Sequence, residues 1–169
     1  LLDTDNYYPA DSQFRLLKGS ATGGIVSMIP YLENQLIVFQ RNAIFLINNT
    51  ATTSAAATFE ITRQYGCVAR KSVAASGPQI YFLSDNGVFT LQQGLDPAKG
   101  LGVAISKVSG EAVPLTRPIQ DQFDQANFAQ ADKAVGVIFN NKYYLAYPGT
   151  PTSVTNDRCM IFDILQNSW

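Results

Sequence analysis

From Ile80 to Leu91 two apolar runs enclose a polar break: Ile80-Tyr81-Phe82-Leu83, then Ser84-Asp85-Asn86-Gly87, then Val88-Phe89-Thr90-Leu91. The runs are too short for helices and rich in β-branched and aromatic side chains, which fit a pleated, half-buried surface. Asn86-Gly87 tolerates the positive φ angles of a tight turn. The pattern predicts a β-hairpin over Gln79 to Leu91, with Ile80, Phe82, Val88 and Leu91 as its buried face. It recurs from Gln35 to Ile47 and from Val135 to Tyr147.

The recurrence keeps a register. Asn42-Ala43-Ile44-Phe45 falls on Asn86-Gly87-Val88-Phe89 at an offset of 44. The same offset carries Leu36-Ile37-Val38-Phe39 onto Ile80-Tyr81-Phe82-Leu83, Phe59-Glu60-Ile61 onto Val103-Ala104-Ile105, and Gly66 onto Gly110. The third hairpin breaks it: Asn86-Gly87-Val88-Phe89 meets Asn141-Lys142-Tyr143-Tyr144 at an offset of 55, an insertion of 11.

Each unit reads as four strands. The first has them at Ile25–Ile29, Gln35–Gln40, Ala43–Asn48 and Ala57–Thr62. The second has them at Cys67–Ala74, Gln79–Leu83, Gly87–Gln92 and Gly102–Lys107. The third has them at Glu111–Leu115, Val135–Phe139, Lys142–Tyr147 and Arg158–Leu165. Pro30, Gly77-Pro78, Gly94 and Pro148-Gly149-Thr150-Pro151 punctuate between them. Asn49 to Ala56 is a small polar loop. The insertion, Thr116 to Ala126, has Pro118 at a first-turn position and Ile119, Phe123 and Ala126 at i, i+4 and i+7. It predicts one short helix on the edge of the sheets, with Gln120, Asp121 and Asp124 on its solvated face. Residues 1–22 carry little periodicity and read as an irregular opening segment, with one short strand at Phe14-Arg15-Leu16-Leu17. Residues 23–169 form a single all-β repeat domain of units 23–65, 66–109 and 110–169.

A period of about 40 to 50 residues with four strands per unit is the pattern of a β-propeller blade. A lone four-stranded sheet leaves an apolar face wet, and stacking blades face to face covers it. Three units do not close a ring, since propellers usually have about four to eight blades. The expected fold is therefore all-β, with about three propeller-like blades in an incomplete or open arc. A β-sandwich of repeated hairpins is the alternative.

Composition adds little to this. A chain of 169 residues is long enough for one core. Its net charge of −1 gives no electrostatic reason for a nucleic-acid or anionic-membrane partner. Charged residues make up 15% of the chain, against about 25% in an average soluble protein. Asn, Gln, Ser, Thr and Gly take their place, as suits secreted, virion or large-assembly proteins. No apolar run is long enough to span a membrane, and no basic-then-apolar signal opens the chain. Leu1 in place of Met is expected of a piece processed or cut from a longer protein. Cys67 and Cys159 are expected to be two buried thiols rather than a disulfide.

Candidate chemistry is sparse. The chain has no His, which removes Ser-His-Asp and Cys-His catalysis and the commonest metal ligand. Two distant cysteines make no zinc site. Gly19-Ser20-Ala21-Thr22-Gly23-Gly24 lacks the Lys-Ser or Lys-Thr that a phosphate loop needs. Asp85-Asn86-Gly87 resembles the start of a calcium loop without its bidentate Glu, and the turn already accounts for it. Asp163, Asp157, Glu60 and Glu111 fall near blade edges with nothing in the sequence to make them converge as a glycosidase pair must. Tyr7, Tyr8 and Tyr31 are aromatics that can stack on sugars or pack loops. Asn48-Asn49-Thr50 is a glycosylation sequon. No catalytic, cofactor-binding or metal-ligating residue is assigned.

Several segments resemble one family. Gly66-Cys67-Val68-Ala69-Arg70-Lys71-Ser72-Val73-Ala74 leads into the Ile80–Phe89 hairpin. Asn140-Asn141-Lys142-Tyr143-Tyr144-Leu145-Ala146-Tyr147-Pro148 and Phe162-Asp163-Ile164-Leu165-Gln166-Asn167-Ser168-Trp169 follow, and Leu36 to Phe45 matches the first hairpin. Together they look like the propeller region of the tail tubular protein B, or tail nozzle, family of short-tailed phages, from about Gly23 to Trp169. The resemblance implies a virion structural protein made in the bacterial host cytoplasm. Several copies form a ring with other tail proteins, and DNA passes through without sequence-specific contact. It implies no enzyme activity, cofactor, small-molecule substrate or membrane insertion. The chain is much shorter than such a protein, so a fragment is expected. The alternative is an extracellular carbohydrate-binding or hydrolytic β-propeller.

Overall fold

The computed structural model describes residues 23–48, 57–96, 100–105, 107–108 and 111–169. The opening segment, its Phe14–Leu17 strand, most of the Gly19–Gly24 loop and the Asn49–Ala56 loop lie outside the described residues. The first sheet runs in the order β1 (Ile25–Tyr31), β2 (Gln35–Gln40), β3 (Ile44–Asn48), β4 (Ala57–Thr62). The second runs β5 (Ala74–Ser76), β6 (Gln79–Ser84), β7 (Gly87–Asp96), β8 (Gly100–Ile105). A two-stranded ribbon of β9 (Lys107–Val108) and β10 (Glu111–Ala112) follows. The third sheet is β11 (Val135–Phe139), β12 (Lys142–Tyr147), β13 (Arg158–Asp163). Every named pairing between strands is antiparallel. The all-β, hairpin-built character read from the apolar runs is present.

The second sheet lies between the other two. Phe82 stands opposite Phe89, and Ile80 opposite Leu91. That face packs with Ile37, Phe39, Ile44 and Leu46 of the first sheet, and the rings of Phe39 and Phe82 are 5.1 Å apart. Alternate residues point the other way. Tyr81, Leu83 and Val88 pack with Tyr143, Leu145, Tyr147 and Phe162 of the third sheet, and Tyr81 stacks on Tyr143 at 5.4 Å. Ile80, Phe82, Val88 and Leu91 are all fully buried. Val88, however, belongs to the opposite face from the other three. Both faces are dry, which is why β6 reads as an unbroken apolar run rather than an alternation.

Four sequence expectations are corrected. Cys67–Ala74 is not a strand; only Ala74–Ser76 pairs. The backbone before it is shared between two hairpins. Cys67 N–H donates to Gln40 O at 2.9 Å and Val68 N–H to Leu83 O at 2.9 Å. Ser72 then turns back on Ala69, and its Oγ accepts from Leu83 N–H at 3.0 Å in place of a neighbouring strand. Gly66 is required here, because a Cβ would run into the backbone of Gln40 and Arg41.

The third unit is not four-stranded. Of Glu111–Leu115 only Glu111–Ala112 pairs, and with β9 rather than β11. Leu115 N–H donates instead to Val88 O at 2.7 Å. The helix is also shorter than read. A 3-10 turn (Arg117–Ile119) leads into a single α turn, α1 (Gln120–Phe123), and a second 3-10 stretch follows at Phe128–Lys133. Asn127 N–H leaves the helical ladder for Pro148 O at 2.9 Å. Phe123 is buried against Phe128 and Tyr147, while Asp121 and Asp124 are exposed.

The third hairpin also belongs to a different register. At the offset of 55, Tyr143 stands where Val88 does and would turn away from the preceding sheet. It faces that sheet instead. Matching turn to turn, Phe139–Lys142 answers Ser76–Gln79 at an offset of 63. Tyr143 and Leu145 then stand where Ile80 and Phe82 stand, and both pairs face the preceding sheet. β11 therefore corresponds to β5. It lies beside the start of that strand, with a parallel bridge from Lys71 to Val135 and Gly136 N–H donating to Lys71 O at 2.9 Å.

The hairpin turns differ in mechanism. Asn140 and Asn141 both have positive φ, 49° and 56°, as a type I′ turn requires. In the second hairpin the central residues Asp85 and Asn86 do not; the positive φ falls on Gly87, at 128°.

Candidate functional site

Of the four acids singled out in the sequence, Glu60, Asp157 and Asp163 each meet a separate partner, and the Glu111 side chain lies outside what is described. Glu60 on β4 pairs with Arg63 Nε at 2.5 Å. Asp157 closes the loop after β12, accepting from Gly149 N–H at 2.6 Å and from Ser153 Oγ at 2.5 Å. The Ser153 hydroxyl first, then the Gly149 amide, hold its carboxyl below the usual carboxylate range. Asp163 sits at the end of β13 and pairs with Lys142 at 2.5 Å. Its other oxygen accepts from the N–H groups of Leu165 and Gln166, each at 3.0 Å. The Lys142 contact is the main cause of its lowered pKa, and Lys142 is raised in return. These carboxylates fasten loops and strand ends. Among the described residues no group of three His, Cys, Asp or Glu gathers as a metal site would.

Asp85 and Tyr31 also have structural work. Asp85 pairs with Arg41 at 2.9 Å rather than opening a calcium loop. Tyr31 is buried, not exposed for sugar stacking, and its hydroxyl donates to Pro78 O at 3.1 Å. Tyr7 and Tyr8 lie outside the described residues, and so do Asn49 and Thr50 of the sequon. Asn48 is half-buried, with its Oδ1 inward. The expectation of two buried thiols holds for one: Cys67 is buried and Cys159 exposed, and both are free. Burial pushes the Cys67 thiol up to about 11, against the opposing effect of its hydrogen bonds with Ser72 and Ala69. Tyr143, fully buried, is likewise raised, and its hydroxyl donates to Ser72 O at 2.8 Å.

What the sequence reading missed is a surface. The pairing of β11, β12 and β13 places Val135, Val137, Phe139, Tyr144 and Ile161 on the side of the third sheet away from the second. Val137, Phe139 and Ile161 are 55%, 63% and 46% exposed. The Lys142–Asp163 ion pair marks one end of this face. The signal was in Val135-Gly136-Val137-Ile138-Phe139, apolar at every position like Ile80–Leu83 within β6. Such a strand has two faces to cover, and here one is covered.

No protein-family model matches the chain, and no curated protein matches it.

Proposed function

We propose that this chain is a set of propeller-type blades from a virion structural protein, a nozzle or tubular component of a short-tailed phage tail. In this reading it works by assembling with copies of itself and with other tail proteins around passing DNA, without a substrate, a cofactor or catalysis. One observation carries the reading most. Three antiparallel sheets stack face to face, and each of the two junctions joins one face of a sheet to the opposite face of its neighbour, the relationship blades have around a propeller. The resemblance of the Gly66–Ala74, Ile80–Phe89, Asn140–Pro148 and Phe162–Trp169 segments supplies the tail assignment. The structural partners of Asp157, Asp163 and Glu60 support a wall rather than a reaction centre.

An antibody raised against the 169-residue chain should label the tails of purified short-tailed particles in electron micrographs. A glycan array probed with the same chain should stay blank. Unlabelled tails together with a specific glycan signal would replace this reading by the carbohydrate-binding one.

A further inference from the structure

Part of the outer side of the first sheet is covered, and the cover belongs to this chain. Val38, Ala43, Phe45 and Ile47 cluster on the side of β2 and β3 away from the second sheet. In the single chain none of them is more than 6% exposed. Side chains in the middle of a bare sheet face stand up into water, so other atoms of the same chain lie over these four. No apolar side chain from another described element joins their cluster; only Leu36, on β2 itself, packs against it. The second sheet meets the opposite face, and the third sheet lies beyond the second.

The cover is narrow. Met28, directly opposite Val38 on β1, is 57% exposed, and Ile25, opposite Gln40, is exposed too. Thr58, opposite Ile47 on β4, is also exposed. The shield is thus a strip over the two middle strands, the width of one extended segment. A docked sheet, with strands about 4.8 Å apart, would shield the flanking strands as well. Gln40, on the same side of β2 as Val38, is buried, and its Oε1 has no hydrogen-bond partner among the described residues. A buried acceptor there calls for a donor from whatever lies above it.

Two stretches outside the described residues adjoin this sheet. Residues 49–56 join β3 to β4 and carry nothing larger than Thr or Asn. A loop of that length, which must also return, reaches out about 13 Å. Ala43 lies about 17 Å along the strand from Asn48, beyond that reach. Residues 1–22 carry Tyr7, Tyr8, Phe14, Leu16 and Leu17. They join the described chain at Gly23, where a Cβ would stand 4.0 Å from that of Arg41, so they arrive at the Ala43 end of the strip. From Gly23 back to Leu17 the chain can span about 20 Å. Ala43 to Ile47 is about 13 Å, which brings Phe14-Arg15-Leu16-Leu17 within reach of Val38 and Phe45.

We propose that residues 1–22 cross the outer face of the first sheet in extended form, with Phe14 and Leu16 packed on Val38, Phe45 and Ile47 and Arg15 between them turned to water. The inference goes beyond the tail assignment and does not depend on it.

Photo-cross-linking of the full 169-residue chain tests it. With Phe14→p-benzoylphenylalanine, irradiation should join residue 14 to Val38, Phe45 or Ile47 of the same chain, read by peptide mass spectrometry of the monomer band. Attachment to the second or third sheet, attachment only between chains, or no attachment overturns the proposal. Hydroxyl-radical footprinting gives a second reading. F14D/L16D should raise oxidation of Phe45 several-fold, because a carboxylate does not stay packed on an apolar face. Phe82, between the first and second sheets, should stay protected, and Arg15→Asp should leave both rings protected. A Phe45 as protected in F14D/L16D as in the wild type overturns the proposal. The cross-link changes one residue only, so it decides even where the double variant unfolds.

Discussion

Arg41 and Asp85 occupy the same position in successive hairpin turns, 44 residues apart, and their side chains meet at 2.9 Å. The repeat has thus set two equivalent residues of opposite charge side by side. Both are well exposed, so the pair contributes at most about 1 kcal/mol, more weakly in high salt. Arg41→Ala and Asp85→Ala should each shift the urea midpoint only slightly. Arg41→Asp should cost more, and the exchange R41D/D85R should recover most of that loss. A recovery in the exchange is the outcome that ties the two turns together.

The middle sheet is the most sensitive place for truncation. Phe82 is fully buried, with Phe39 and Phe89 at 5.1 and 6.1 Å. Phe82→Ala should cost about 3 to 5 kcal/mol in chemical unfolding. Asp121→Ala, on the exposed side of α1, should change stability by less than about 0.5 kcal/mol.

Gly136 holds the third sheet close to the second. A Cβ there would meet the Tyr143 hydroxyl and the Ser72 carbonyl, the two partners of a buried hydrogen bond. Gly136→Ala should therefore destabilise strongly. Tyr143→Phe leaves the packing and removes the donor, with an expected loss of about 1 to 3 kcal/mol from the unsatisfied Ser72 carbonyl. Thermal melts of the two variants separate crowding from hydrogen bonding.

Thiol labelling should be sharply unequal. Cys159 is exposed and Cys67 buried. One thiol per chain should react promptly with an aromatic disulfide reagent at low protein concentration, and the second only at the rate of unfolding. Cys159→Ser should abolish the fast phase.

Stability should fall at both ends of the pH range. Asp157 and Asp163 have lowered folded values, so their contribution is present above about pH 4, the unfolded value, and is lost as pH falls through the folded ones. Lys142 is raised; its contribution is present below about pH 10.4 and is lost as pH rises beyond. The neutral Cys67 thiol adds an earlier alkaline loss, beginning near its unfolded value of about 8.5 and continuing to about 11. Melting temperature against pH should show a plateau between these limits. The gap between wild type and Asp163→Asn should narrow below pH 4, because the protonated aspartate no longer attracts Lys142.

The strands of the first sheet were legible almost to the residue, because each is a short apolar run bounded by Gly, Pro or a polar turn. Burial of Ile80, Phe82, Val88 and Leu91 was legible, but not its direction: when both sides of a strand are apolar, residue type no longer says which side a residue faces. The same ambiguity hid the register of the third hairpin, since β11–β12 resembles both hairpins of the second sheet. Cys67–Ala74 misled because its apolar residues are buried by hairpins on either side of it rather than by a ladder of its own. Pairing of Asp163 with Lys142 was invisible for another reason. It depends on two strand ends brought opposite each other across 21 residues.

Both polar groups of the Leu115 peptide are engaged. Its N–H donates to Val88 O at 2.7 Å, and its carbonyl accepts from the Trp169 indole at 2.6 Å. One link fastens it to the central hairpin and the other to the segment after β13, so the outermost layer is clasped and cannot swing like a hinged leaf without breaking one of them. Whatever docks on that layer meets a fixed plane, and does not have to immobilise a moving one before it can bind.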